Sequence, residues 1–141
     1  MSGSTTGSLA GTYQGEEDAW VAKYNSSGTL LWDRQLGTPS GDLSYDVTTD
    51  SVGNVYISGD TGGSLAKART SFDADAFVAK YSTTGKLVWK QQLGSLYDHY
   101  DISNGVAINT NGDVYISGDT YGSLGGAPQA GSDAWVVKYT Q

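Results

Sequence analysis

Apolar residues in this chain fall in short runs, each closed by a polar cluster that contains glycine. Three runs repeat almost letter for letter: DAWVAKY at 18–24, DAFVAKY at 75–81 and DAWVVKY at 133–139. Side chains alternate across a strand, so Trp20, Ala22 and Tyr24 share one face while Ala19 and Val21 share the other. Aromatic and β-branched residues dominate, glycines interrupt every run, and no apolar period near 3.6 is sustained, so the pattern predicts strands and no helix. A sandwich strand has one wet face. Here both faces are apolar, which suits a sheet stacked between two others.

The three heptads begin at Asp18, Asp75 and Asp133, 57 and 58 residues apart. Other landmarks keep step. GSLA at 7–10 returns at 63–66 and as GSLG at 122–125; GTLLWDRQLG at 28–37 returns as GKLVWKQQLG at 85–94; SVGNVYISGDT at 51–61 matches TNGDVYISGDT at 110–120. A repeat of this length with several strands per unit predicts a closed radial array, with residues 1–141 as a single unit of about 2.5 repeats. Each repeat reads as four antiparallel strands. Strand A covers about 44–50 and 103–109, strand B about 54–60 and 113–119, strand C the heptads, and strand D about 29–36 and 86–93. Short A–B turns (DSVGN, NTNGD) and C–D turns (NSSG, STTG) place Gly53, Gly112, Gly28 and Gly85 where a hairpin needs a positive φ. Residues 2–8 align with the end of strand B, so the order along the chain is part of B, C–D, A–B–C–D, A–B–C.

Composition narrows the function classes. Twenty glycines, ten tyrosines and four tryptophans among 141 residues suit tight turns and aromatic packing. The net charge of −7, with eight scattered Lys and Arg, argues against nucleic acid. There is no cysteine for a disulfide or thiolate metal site, and no run approaches the roughly 20 apolar residues of a membrane helix. The first residues, MSGSTTGSLAG, lack the basic and apolar regions of a signal peptide.

The unit DAFVAKYSTTGKLVWKQQLG followed by SVGNVYISGDT resembles the bacterial SBBP β-propeller repeat, and the resemblance spans essentially the whole chain. YSTTGKLVW is similar to the tryptophan-docking repeat of quinoprotein propellers, and GNVYIS to NHL-type blades. The resemblance implies an all-β propeller of four-stranded antiparallel blades. It also implies a bacterial surface or secreted protein, and Trp32 and Trp89 as residues that pack between blades. The quinoprotein cofactor residues have no counterpart, so no cofactor is implied.

Propellers close with 4–8 blades. A fan of 2.5 repeats would leave two apolar blade faces in water, and that forgone burial would rival the roughly 5–15 kcal/mol of net stability of a domain. The expectation is a homo-oligomer, preferably a dimer of about five blades, with a trimer of more blades as a variant and a truncated piece of a longer propeller, or an engineered fragment, as the competing account. The C–D hairpin of one copy would complete the A–B hairpin of the next and leave one strand C surplus.

Candidate chemistry is sparse. Asp60 and Asp119 end strand B in SGDT, on the side of the ring that carries the long B–C loops. They are ligand candidates, or simply turn-capping carboxylates. YDHYD supplies Tyr97, His99 and Tyr100, an aromatic and acidic group able to grip a glycan. Asp73 and Asp75 form an Asp-x-Asp pair suited weakly to calcium, although the full Ca²⁺-loop pattern is absent. Lys23, Lys80 and Lys138 recur once per repeat and read as structural cations, with Asp18, Asp75 and Asp133 as the partners to consider. No serine lies in a nucleophile elbow, one histidine cannot build a zinc site alone, and no phosphate-binding loop occurs. The expected function is therefore non-catalytic, a self-assembling scaffold or interaction module. The alternative is a lectin-like or small-ligand-binding propeller with a site per repeat.

Overall fold

In the computed structural model, residues 1–68, 73–95, 99–125 and 131–140 are described; they form ten strands and no helix. In chain order the strands are β1 (Ser2–Thr5), β2 (Asp18–Tyr24), β3 (Leu30–Leu36), β4 (Asp42–Thr49), β5 (Val55–Thr61), β6 (Asp75–Tyr81), β7 (Leu87–Leu93), β8 (Asp101–Ile108), β9 (Val114–Thr120) and β10 (Asp133–Tyr139). They make three antiparallel sheets: β1-β2-β3, β4-β5-β6-β7, and β8-β9-β10. The repeated heptads coincide residue for residue with β2, β6 and β10. Strand A begins two residues earlier than the pattern suggested, at Asp42 and Asp101, because these carboxylates tie the strand start to the preceding loop. Backbone N–H groups of Thr38 and Ser95 donate to them over 2.6 Å in both cases.

The hairpin turns follow the sequence chemistry. Gly28, Gly53, Gly85 and Gly112 all have φ between +78° and +89°. In the β2–β3 turn the Asn25 side-chain oxygen accepts from the N–H groups of Ser27 and Thr29, and Gly28 N–H donates back to the Asn25 carbonyl. Asp50 and Asn109 organise the β4–β5 and β8–β9 turns in the same way.

The sheets stack face to face, with the four-stranded sheet in the middle. Ala19, Val21, Trp32 and Leu36 of the first sheet pack on Val55, Ile57, Phe77, Ala79 and Tyr81. The opposite face of the middle sheet, with Tyr56 and Val78, packs on Val106, Val114 and Ile116 of the third, flanked by Trp135, Val137 and Tyr139. Both faces of β5 and β6 are thus dry, as the two-sided pattern predicted. The outward faces of the flanking sheets are wet. Tyr24 is 44 % exposed where its counterpart Tyr81 is 2 % exposed, and Val136 is 69 % exposed where Val78 is fully buried.

One tryptophan per repeat unit bridges the stack. Trp32 on β3 is buried, donates its indole N–H to the Thr83 carbonyl over 2.9 Å, and lies against Gly85 in the β6–β7 turn of the next sheet. A β-carbon on Gly85 would sit 2.7 Å from the indole. Arg34 fastens the same turn through Nε to the Gly85 carbonyl at 2.7 Å. Trp89, the matching residue on β7, packs edge-on to Tyr56 and beside Tyr139 but stays partly exposed. It borders an apolar cleft of about 480 Å³ with Val88 and Tyr139.

Candidate functional site

Strand starts and strand ends define two faces of the stack. The short A–B and C–D turns lie on one. On the other meet the long β3–β4 and β7–β8 loops and the β5–β6 and β9–β10 connections, and the candidate residues gather there. Repeated backbone contacts bring this face together. Asp42 N–H donates to the Glu17 carbonyl over 2.7 Å, and Asp101 N–H to the Ala74 carbonyl over 2.9 Å. Within the second and third sheets, Gly62 N–H donates to the Gly41 carbonyl and Tyr121 N–H to that of Tyr100, carrying the β4–β5 and β8–β9 pairings onto this face, while the bonds of Asp42 and Asp101 cross between sheets. Each sheet is therefore sewn to its neighbour just before strand C, which sets Glu16 beside Ser40 and Gly41, and Asp73 beside Tyr100.

A groove of about 270 Å³ results, lined by Glu16, Ser40, Asp60, Gly62, Asp73 and Tyr100 among others. It draws on all three sheets. Three of its side chains are carboxylates and none is basic. Asp60 is 7 % exposed, and its buried Oδ1 has no hydrogen-bond partner among the described residues. Burial holds its carboxyl above the usual range. A hydrogen bond from Tyr45 partly offsets this, while the nearby Asp42 and Glu17 charges add to it. The Tyr45 phenol is likewise pushed up, by burial and by Asp60.

The other candidates are placed as follows. Asp119 sits at the matching position on β9, but accepts from Asn104 Nδ2 over 2.7 Å and lies outside the groove. Both strand-end carboxylates are thus held by a side chain on strand A, not by a capped turn. His99 is exposed and is likewise outside the groove lining. Tyr97 lies outside the described residues. Asp75 is fully buried and accepts from Gln92 Nε2 at 2.8 Å, so it is not an exposed loop ligand beside Asp73. Among the described residues no group of three His, Cys, Asp or Glu could hold a metal ion. The acidic positions are not repeated: Gly131 and Ser132 stand where Glu16 and Glu17 do in the first repeat.

The recurring lysines do not take the heptad aspartates as the sequence suggested for Asp18 and Asp75. Lys23 donates to the Gly53 carbonyl of the next sheet at 2.6 Å. Lys80 lies 5.2 Å from the Tyr56 ring, and Lys138 pairs with Asp113 at 2.8 Å while covering Tyr115. Asp18 and Asp75 serve glutamines. Gln92 donates to Asp75 and to the Gly63 carbonyl, and its oxygen accepts from Ala66 N–H at 2.9 Å. Gln35 does the same for Asp18, Gly7, Leu9 and Ala10. The GSLA segment is therefore the strap that this clamp holds down. The clamp needs glycine after strand D, because a β-carbon at Gly37 or Gly94 would overlap the carboxylate of Asp18 or Asp75. The recurring Gln, Asp and Gly letters were visible in sequence, but their convergence depends on the register of β2 with β3 and of β6 with β7.

Antiparallel sheets stacked face to face, with Trp32 of the first and Trp89 of the second packing on the sheet that follows, define a propeller-type repeat protein. The chain belongs to the SBBP β-propeller repeat family, whose pattern it matches at residues 31–66 and 88–125, just over half of its length. Each matched segment runs from strand D of one sheet through strands A and B of the next. The chain is similar to the regulatory protein FlaEY of Caulobacter vibrioides, at 31 % identity over 138 residues. That alignment covers 89 % of this chain and 14 % of the relative. It is also similar to the uncharacterized WD repeat-containing protein L264 of Acanthamoeba polyphaga mimivirus, at 28 % identity over 89 residues, 55 % of this chain and 6 % of that protein. The chain thus spans a small part of the length of these relatives. Among the described residues no helix is long and apolar enough to cross a membrane.

Proposed function

We propose that this chain is a non-catalytic propeller module, a scaffold for interaction whose ring is completed by further copies of itself. The carrying observation is the contrast between matched positions. Val78 and Tyr81 are dry because a neighbouring sheet covers them, while Val136 and Tyr24, on the outward faces, are 69 % and 44 % exposed. The outward face of one copy's β8–β10 sheet would cover the outward face of the next copy's β1–β3 sheet. With β10 kept on β9, two copies would place six sheets in the ring; the five-blade ring would need β10 to leave. A role in interaction is compatible with the regulatory relative in Caulobacter.

Val136→Lys tests the closure. A charge on a buried joint is expected to split the assembly, while Val52→Lys, at a turn residue 71 % exposed, leaves it intact. An unchanged sedimentation coefficient for Val136→Lys would refute the joint. A second reading, a ligand-binding propeller, is favoured by the acidic groove.

A further inference from the structure

Strand C is flanked on both edges in the first two sheets, where β2 lies between β1 and β3 and β6 between β5 and β7, but β10 ends the third sheet. Among the described residues no strand pairs with its far edge. Burial registers the difference. Phe77, Ala79 and Tyr81 on β6, and Trp135, Val137 and Tyr139 on β10, all face the preceding sheet. The first three are at most 2 % exposed, whereas the second three stay only partly buried. Two cavities sit at the two ends of this edge, and the other sheets show what fills each. At the Asp133 end a space of about 300 Å³ is lined by Gly122, Leu124, Gly125, Asp133 and Trp135 among others. In the second sheet the Gln92 amide takes the matching place, bonded to the Gly63 carbonyl, the Ala66 N–H and Asp75, on a residue paired with Phe77. Gln35 takes it in the first. At the Tyr139 end the apolar cleft of about 480 Å³ lies against Val88, Trp89 and Tyr139. The matching place in the first joint, beside Trp32 and Tyr81, is taken by Leu87, which pairs with Tyr81. Gln92 and Leu87 both belong to strand D, whose residues 87–94 and 30–37 share the pattern L-x-W-x-x-Q-L-G.

We propose that the free edge of β10 is a docking site for an added antiparallel strand of sequence L-x-W-x-x-Q-L-G, supplied from outside residues 1–141. In the register of β6 with β7, its glutamine lies opposite Trp135 and reaches Asp133 and the strap at 122–125, and its first leucine lies opposite Tyr139, against Trp89. Main-chain hydrogen bonds along the edge supply affinity, and the two cavities select the sequence. Neither strand D of residues 1–141, in this copy or in an intact second one, is available for the role. Gln35 already clamps β3 to Asp18, and Gln92 clamps β7 to Asp75. Docking is independent of ring closure, because it uses the edge of the third sheet and closure uses its outward face.

The test is titration of the whole chain with the peptide GKLVWKQQLG, the sequence of residues 85–94, followed by calorimetry, light scattering and amide hydrogen exchange. Saturable binding of one peptide per chain is expected, with new amide protection confined to 122–125 and 133–139 and no loss of chains from the assembly. In the peptide, Gln92→Ala should weaken binding about tenfold or more, because the socket loses its amide. Gln91→Ala, one position away and on the opposite face of the strand, should change it by less than about threefold. Absence of binding, protection at β3 or β7 instead of β10, or equal weakening by the two substitutions would overturn the proposal; the last would mean sequence-blind addition to a strand edge. Binding that occurs only as chains leave the assembly would assign the edge to a second copy and overturn it too.

Discussion

Single carboxylates in this protein play opposite electrostatic roles, and pH separates them. Burial raises the Asp60 and Asp42 carboxyls above their unfolded value, against the hydrogen bonds of Tyr45, and of Thr61 and Thr38, respectively. The folded state then binds more protons than the unfolded one between the two values. Stability falls as pH rises through that window, and the deficit persists above it. Asp60→Asn escapes the deficit, so it is expected to melt higher than the parent at pH 7, with the gain shrinking below pH 4; equal gains at both would contradict this. Asp50 is the reverse case. Burial opposes its charge, but hydrogen bonds from Asn54, Tyr56 and Val52 outweigh it and hold its carboxyl below the usual range. Its stabilisation is present above the unfolded value and is lost as pH falls through the folded one. Asp50→Asn should therefore lower the melting temperature at pH 7 and matter little at pH 3. Gln92 carries a different burden: it satisfies Asp75 and two backbone groups of the strap. Gln92→Ala removes from a buried carboxylate and a buried carbonyl the Nε2 donor they share among the described residues, and should cost about 2–4 kcal/mol in urea denaturation.

At the scale of the strands and turns, local sequence was a good guide wherever one run decides its own geometry. Period-two apolar runs located β2, β6 and β10 to the residue, and the turn glycines have the positive φ their hairpins require. What stayed hidden needs partners distant in the chain. Gln35 and Asp18 lie 17 residues apart and meet through pairing of β2 with β3, so for Asp18 and Asp75 the lysine of the same heptad was a misleading partner. The groove was half legible: Asp60, Tyr100 and Asp73 stood out, but Glu16 joins them only because Asp42 N–H fastens strand A to the Glu17 carbonyl. Matched turns make a sharp comparison. Gly28→Ala should cost about 1–2 kcal/mol for a side chain at φ +78°. Gly85→Ala, at φ +79°, should exceed it by a further 1–3 kcal/mol or so, because its methyl would displace the Trp32 indole. Equal losses would mean that Trp32 does not bind that turn.

For the whole molecule, the account turns on the two outward sheet faces. The middle sheet shows what this sequence does when both its faces are covered, and its neighbours repeat the same apolar pattern with only one face covered. A ring resolves that mismatch by giving each outer face a sheet to rest on. Native mass spectrometry of the purified 141-residue chain, at low micromolar concentration, asks the question directly. The account predicts one dominant species at an integral multiple of 14.8 kDa, with two copies expected. A folded species at 14.8 kDa, with cooperative unfolding unaffected by dilution, would contradict it.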